Sequence, residues 1–143
     1  EVPHVMPALF GLAAERDPGG FVEVDPETLR HRRFDDVWAI GDAAGTTNSK
    51  SGGALRKQTF VVAENLAAAL RGQEPTRRYD GYGVCPLTVS RSSVVWAEFD
   101  PDGRPDPTIS FLPQMYRENR LAWIADRYVL PWVYWNLILR GRV

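Results

Sequence analysis

Three polar side chains in this 143-residue sequence stand where local spacing could put them to chemical use: Asp42, Lys50 and Cys85. Asp42 closes the apolar run Val37-Trp38-Ala39-Ile40 and follows Gly41. A carboxylate at the end of a strand, beside a glycine that admits a ligand to the backbone, suits a sugar hydroxyl. The plain alternative for Asp42 is a helix N-cap, which needs no ligand. Lys50 lies just ahead of a long helical pattern, where a cation and free helix amides suit an anion or an electron-rich ring edge. Its plain alternative is a surface lysine. Cys85 is the only cysteine, placed after Tyr79-Asp80-Gly81-Tyr82-Gly83 and before Pro86. That setting reads as a loop delivering a thiol to a fixed place; an inert buried thiol is the alternative. A redox disulfide needs a second cysteine, so a catalytic Cys85 requires a partner outside these residues.

The elements that must position these groups follow from periodicity. Val37–Ile40 is a continuous apolar run, as expected of a strand covered on both faces. After it come the small residues Ala43-Ala44-Gly45, a polar loop and, from Ser51, apolar residues at helical spacing: Ala54, Leu55, Val61, Val62, Leu66, Ala69 and Leu70. Gly72 marks the helix end. Upstream, 8–15 reads as a short helix, and Phe21-Val22-Glu23-Val24 alternates as a strand that turns out at Asp25-Pro26. Downstream, β-formers up to Val89 and from Ser93 to Phe99 flank Arg91-Ser92, the pattern of an antiparallel hairpin. Asp100-Pro101-Asp102-Gly103 is a turn. Residues 115–128 and 130–140 read as two helices, the second opened by Pro131.

Totals narrow the function classes. Apolar residues make up 44% and charged residues 24%, ordinary for a globular domain. A net charge of −1 gives no electrostatic footprint for a nucleic acid. One cysteine and two distant histidines make no zinc site. No apolar stretch reaches the length of a bilayer span, and the first ten residues lack the pattern of a signal peptide. The chain opens without a Met, which reads as a cut inside a longer protein. Five tryptophans are many for this length, and Trp132 and Trp135 fall in the final segment. That segment, from Leu130, is apolar and aromatic almost all round before Arg140 and Arg142. It suits a membrane interface, a core helix or an oligomer contact.

A threonine, Thr28, ahead of an apolar-Ala-apolar-Gly-Asp strand resembles the second FAD-binding motif of the pyridine nucleotide-disulfide oxidoreductase superfamily. Further blocks narrow the resemblance: Val24-Asp25-Pro26-Glu27-Thr28-Leu29-Arg30-His31-Arg32-Arg33-Phe34, Ser49-Lys50, Tyr79-Asp80-Gly81-Tyr82, Cys85-Pro86-Leu87, Ala97-Glu98-Phe99-Asp100 and Tyr134-Trp135-Asn136 with Leu139-Arg140-Gly141. In this order, over nearly the whole chain, they resemble sulfide:quinone oxidoreductases, above all the branch that includes the mitochondrial enzymes.

The resemblance implies a monotopic membrane flavoprotein that oxidises sulfide with a cysteine pair and passes electrons through FAD to quinone. It places Gly41, Asp42 and Lys50 at FAD, makes Cys85 one of the redox cysteines, and assigns Trp132, Tyr134 and Trp135 to the membrane and the quinone pocket. It also implies a fold class of α/β to α+β: the C-terminal fragment of a flavoprotein with two dinucleotide-binding domains. Residues 1–78 would complete the FAD-binding domain, and 79–143 would carry the cysteine loop, hairpin and membrane region. No G-x-G-x-x-G loop occurs in the sequence, so the chain alone is expected neither to hold FAD nor to turn over sulfide. Two alternatives are a type II NADH:quinone oxidoreductase or other flavin disulfide reductase, and a non-catalytic domain that binds a membrane or forms a homodimer.

Overall fold

Turns dictate the architecture of the first part of the chain. The computed structural model describes residues 10–14, 19–108 and 116–142. They fall into two compact units, Glu1–Gly83 with Phe99–Arg104, and Val84–Glu98 with Pro105–Val143.

In the first unit the strands predicted at 21–24 and 37–40 appear only as isolated bridges. Val22 pairs antiparallel to Ala13 and parallel to Ala44, Val24 pairs with His31, and Arg30 with Trp38. A ladder needs consecutive extended residues, and the Asp25 turn interrupts them. Its carboxylate accepts from the Thr28 amide at 2.8 Å, the Glu27 amide at 3.1 Å and the Thr28 hydroxyl at 3.0 Å. A second break follows at His31, whose Nδ1 accepts from the Arg33 and Phe34 amides. That leaves Nε2 as the protonated nitrogen, donating to Leu12 O at 2.9 Å. The helix expected at 8–15 is also replaced: Phe10-Gly11 form a turn, Ala13 a bridge, and Leu12 and Ala14 are not helical, while 8, 9 and 15 lie outside the described residues. The bridged segments close over Val22, Val24, Ala39 and Ala44.

Helix α1 spans Gly52–Leu70, as its periodicity predicts, with the Ser51 hydroxyl accepting from the Ala54 amide as N-cap. Its buried positions are Ala54, Gln58, Val61 and Asn65, one face at helical spacing. Leu55, Leu66 and Leu70, expected in the apolar stripe, are exposed. Gln58 and Asn65 turn inward in their stead because main-chain groups of other segments need partners there. Leu29, Ala54, Val61 and Tyr79 form the second core cluster.

The second unit contains, but for the end residues Gly83 and Phe99, the predicted hairpin of β1 (Gly83–Ser90) and β2 (Ser93–Phe99), joined by Arg91-Ser92. The two expected C-terminal helices are one helical run over the described residues: α2 (Arg120–Ile124), a π-turn (Ala125–Val129) and α3 (Leu130–Asn136). Pro131 explains the π-turn. Its ring carries no N–H for the carbonyl one turn earlier and would crowd it, and the wider turn absorbs both effects.

Candidate functional site

Asp42 sits in a 3-10 turn, Gly41–Ala43, that follows extended Ile40. Gly41 has φ +63, a left-handed conformation, and a Cβ there would lie 3.1 Å from Leu55 Cδ1. The turn is clamped from α1: the Gly41 amide donates to Gln58 Oε1 at 2.7 Å. Asp42 itself is exposed, and among the described residues no hydrogen-bond or ion-pair partner meets its carboxylate. Because Ser51 caps α1, the N-cap alternative for Asp42 does not hold.

Gln58 is 1% exposed. With Oε1 occupied by Gly41, its amide nitrogen faces the Tyr79 hydroxyl, which in turn donates to Tyr82 O. Burial, reinforced by the Asp80 charge, pushes the Tyr79 phenol up to about 12, with the Gln58 hydrogen bond pulling the other way.

The loop after the turn packs tightly. Gly45 donates its amide to Val22 O at 2.9 Å, and a Cβ on Gly45 would come within 2.8 Å of that oxygen. Lys50 Nζ donates to Ala44 O at 2.6 Å and lies 4.7 Å from the Phe21 ring centroid. The ammonium therefore fastens the loop back on itself. Within that loop Thr46 Oγ1 and Asn48 Oδ1 are buried with no partner among the described residues. Such orphans are rare in folded proteins and mark places where another group belongs. Thr46 also lines a cavity of 380 Å³ together with Phe21, Glu23, Arg32 and Gly45.

Cys85 belongs to the other unit, and its setting corrects the sequence reading: it is a residue of β1, not of a loop. Pro86 is compatible with that strand because a two-stranded sheet has only edges. A two-residue turn sets Ser90 opposite Ser93, where their hydroxyls meet, and counting back sets Cys85 opposite Glu98. The Glu98 carboxylate is buried and accepts from the Tyr116 hydroxyl and the Thr108 amide, each at 2.7 Å. Trp132, Tyr134 and Trp135 lie in α3, also in this unit, at 58%, 46% and 64% exposure. Gly41, Asp42 and Lys50 thus share one unit, and Cys85 and the aromatic residues share the other.

No protein-family model matches the chain. Curated proteins do. Mitochondrial sulfide:quinone oxidoreductase of Mus musculus is 32% identical over 139 residues, 97% of this chain and 30% of the relative. The Dictyostelium discoideum protein of the same name is 35% identical over 127 residues, 88% of this chain and 28% of the relative. That of Schizosaccharomyces pombe is 34% identical over 129 residues, 87% and 28% respectively. This chain is homologous to the sulfide:quinone oxidoreductases. It spans 30% or less of the length of these relatives. In fold it matches, with a TM-score of 0.72 and 25% identity, one chain of the cryo-EM structure of the Tetrahymena thermophila mitochondrial ATP synthase F1Fo composite tetramer. That match covers 88% of this chain and 29% of the other. The names of the relatives favour neither the NADH:quinone alternative nor the non-catalytic one. Among the described residues no helix is long and apolar enough to cross a membrane.

Sequence reasoning overlooked Gln58, Thr46 and Asn48, and took Glu98 only as part of a resemblance block without a role of its own. Only Gln58 carried a readable signal, a polar residue in helical register with Ala54 and Val61.

Proposed function

We propose that this chain supplies part of a flavoprotein that oxidises sulfide with a cysteine pair and hands the electrons to a quinone at a membrane surface. The observation that carries the reading is the identity to three sulfide:quinone oxidoreductases across most of the chain. The first unit's residues suit FAD as the cofactor. Asp42 offers an unpartnered carboxylate for a ribityl hydroxyl, and the orphaned oxygens of Thr46 and Asn48 suit N–H or O–H groups of a polar ligand. Lys50 contributes by holding the loop in shape and by its positive charge, which favours an anionic ring edge. In this reading 1–78 completes an FAD-binding domain and 79–143 carries the cysteine strand and membrane region.

The thiol chemistry balances simply. Hydrosulfide attacks a disulfide between Cys85 and a cysteine outside this chain; a new S–S bond makes one cysteine a persulfide, and the other leaves as thiolate with the electron pair of the broken bond. Bound FAD would accept the two electrons released when the outer sulfur passes to an acceptor and the disulfide reforms, and would deliver them to quinone. Trp132, Tyr134 and Trp135, with Arg140 and Arg142 beyond them, suit the headgroup region of a bilayer, where aromatic rings and cations both find partners. A second copy of the chain is the competing cover for that surface.

Anaerobic titration of the natural full-length protein, loaded with FAD, decides the reading. Sulfide is expected to bleach the flavin and NADH to leave it oxidised, and Cys85→Ser should abolish bleaching while keeping FAD bound. Bleaching by NADH alone, undiminished bleaching in Cys85→Ser, or a protein that takes up no FAD would overturn it.

A further inference from the structure

Gln58 stands apart from the rest of α1. A glutamine that is 1% exposed on the inward face of a helix has lost its hydration and must recover both halves of its amide from the protein. It does so asymmetrically: Oε1 receives the Gly41 amide at 2.7 Å, and the amide nitrogen faces the Tyr79 hydroxyl. Tyr79, 4% exposed, is anchored in turn to Tyr82 O. Gly41 is the residue whose left-handed conformation swings Asp42 outward, and a glycine, free to adopt many other conformations, is held in this one by its hydrogen bond to Gln58.

We propose that Gln58 is the positioning residue of the cofactor site: by binding the Gly41 amide, with Tyr79 behind it, it sets the turn that presents Asp42 to the FAD ribityl chain. The inference rests on the FAD reading above. It also sets the direction of the relay. Only a group that accepts toward Gly41 and donates toward Tyr79 completes it, so an amide fits and an apolar side chain does not. A glutamic acid fits while protonated and, once ionised, has no donor to give. Titratable groups among the described residues near the position include Asp42 beside Gly41, Tyr79 and, beyond it, the Asp80–Lys57 ion pair at 2.7 Å.

The test measures the FAD dissociation constant of the folded natural full-length apoprotein by flavin fluorescence, across a range of pH, beside the thermal midpoint of each variant. Gln58→Leu is expected to bind FAD about tenfold more weakly at every pH, the effect of one lost buried hydrogen bond. Gln58→Glu should match the parent at low pH and weaken relative to it as the introduced carboxyl ionises. Tyr79→Phe should weaken binding by a smaller factor, and it reads the same relay if Gln58→Leu fails to fold. Asp42→Ala separates the two claims. Weakening by Asp42→Ala with parental affinity in Gln58→Leu, or in Tyr79→Phe where Gln58→Leu does not fold, would overturn the positioning role alone. Parental affinity in Asp42→Ala would overturn the FAD reading on which it rests. A fall in thermal midpoint with unchanged affinity would make Gln58 a stability residue and overturn the proposal.

Discussion

The Asn65 side chain holds the main chain of Arg77 from both sides. Its Oδ1 accepts from the Arg77 amide at 2.9 Å, and its Nδ2 donates to the Arg77 carbonyl at 3.0 Å. One buried amide thereby does the work of a β-bridge, tying the segment after α1 back onto the helix. Asn65→Ala removes both bonds at once, together with a longer one of 3.4 Å to Thr28 O, and leaves three main-chain groups to find other partners. The expected loss is about 2 kcal/mol, read as a lower urea midpoint at unchanged slope. A midpoint equal to the parent's would show that the Arg77 segment is held by other contacts.

Acid should act through Asp25. The Thr28 amide first of all, helped by the Thr28 hydroxyl and the Glu27 amide, holds its carboxyl below the ordinary value of 3.8 against the opposing effect of burial. A depressed carboxyl contributes stability that is present above its unfolded value and lost as pH falls through the folded one. The parent is therefore expected to lose stability faster than Asp25→Asn once the pH drops below 3.8. Urea midpoints of both proteins, taken at several pH values on either side of that point, check it. Parallel curves would remove Asp25 from the acid response.

What could be read directly from the residues, and what could not, divides by the distance of the partner along the chain. The boundaries of α1 were legible because Ser51 and Gly72 are local signals. The hairpin was legible because two β-forming runs flank a two-residue gap. The inward turn of Gln58 and Asn65 was not, since their partners Gly41 and Arg77 come from 17 and 12 residues away and the need for them arises only once the fold is made. The glycine-containing run 79–83 before Cys85 and Pro86 after it suggested a loop there. That inference fails on an edge, and no count of local propensities says how many strands a sheet has. The bridges at Val22, Val24 and Trp38 show the same limit: each residue is a good strand former, but pairing depends on what lies alongside.

Alkali should act through Tyr79. Burial pushes its phenol from 10.0 up to about 12, so the fold favours the neutral form. A raised value means stability that is fully present below pH 10.0 and lost as pH rises toward about 12. Tyr79→Phe gives up the hydrogen bonds to Gln58 and Tyr82, and should be less stable by about 1 kcal/mol at neutral pH. That difference should shrink above pH 10.0 as the parent alone pays for ionising this phenol. Chemical denaturation of the pair across the alkaline range measures it, and a constant difference would mean that Tyr79 ionises as readily in the native state as in the unfolded one.

Leu29 gives the sharpest test of backbone conformation. It is fully buried, yet its φ is 65, a left-handed conformation that costs a residue bearing a Cβ roughly 1 kcal/mol or more. The position is held by the Leu29 amide donating to Asp25 O at 2.8 Å and by its carbonyl receiving the Ala39 amide at 3.2 Å. Truncation to Ala removes the buried side chain, costs about 2–5 kcal/mol, and keeps the strain. Truncation to Gly removes one carbon more but relieves the strain. At an ordinary position Gly is the worse of the two by roughly 0.5–1 kcal/mol; here Leu29→Gly is expected to equal or exceed Leu29→Ala in stability. Equilibrium unfolding of the two variants side by side decides it. A clear advantage for Ala would mean that residue 29 leaves the left-handed region in solution, and with it the turn that Asp25 and Thr28 build.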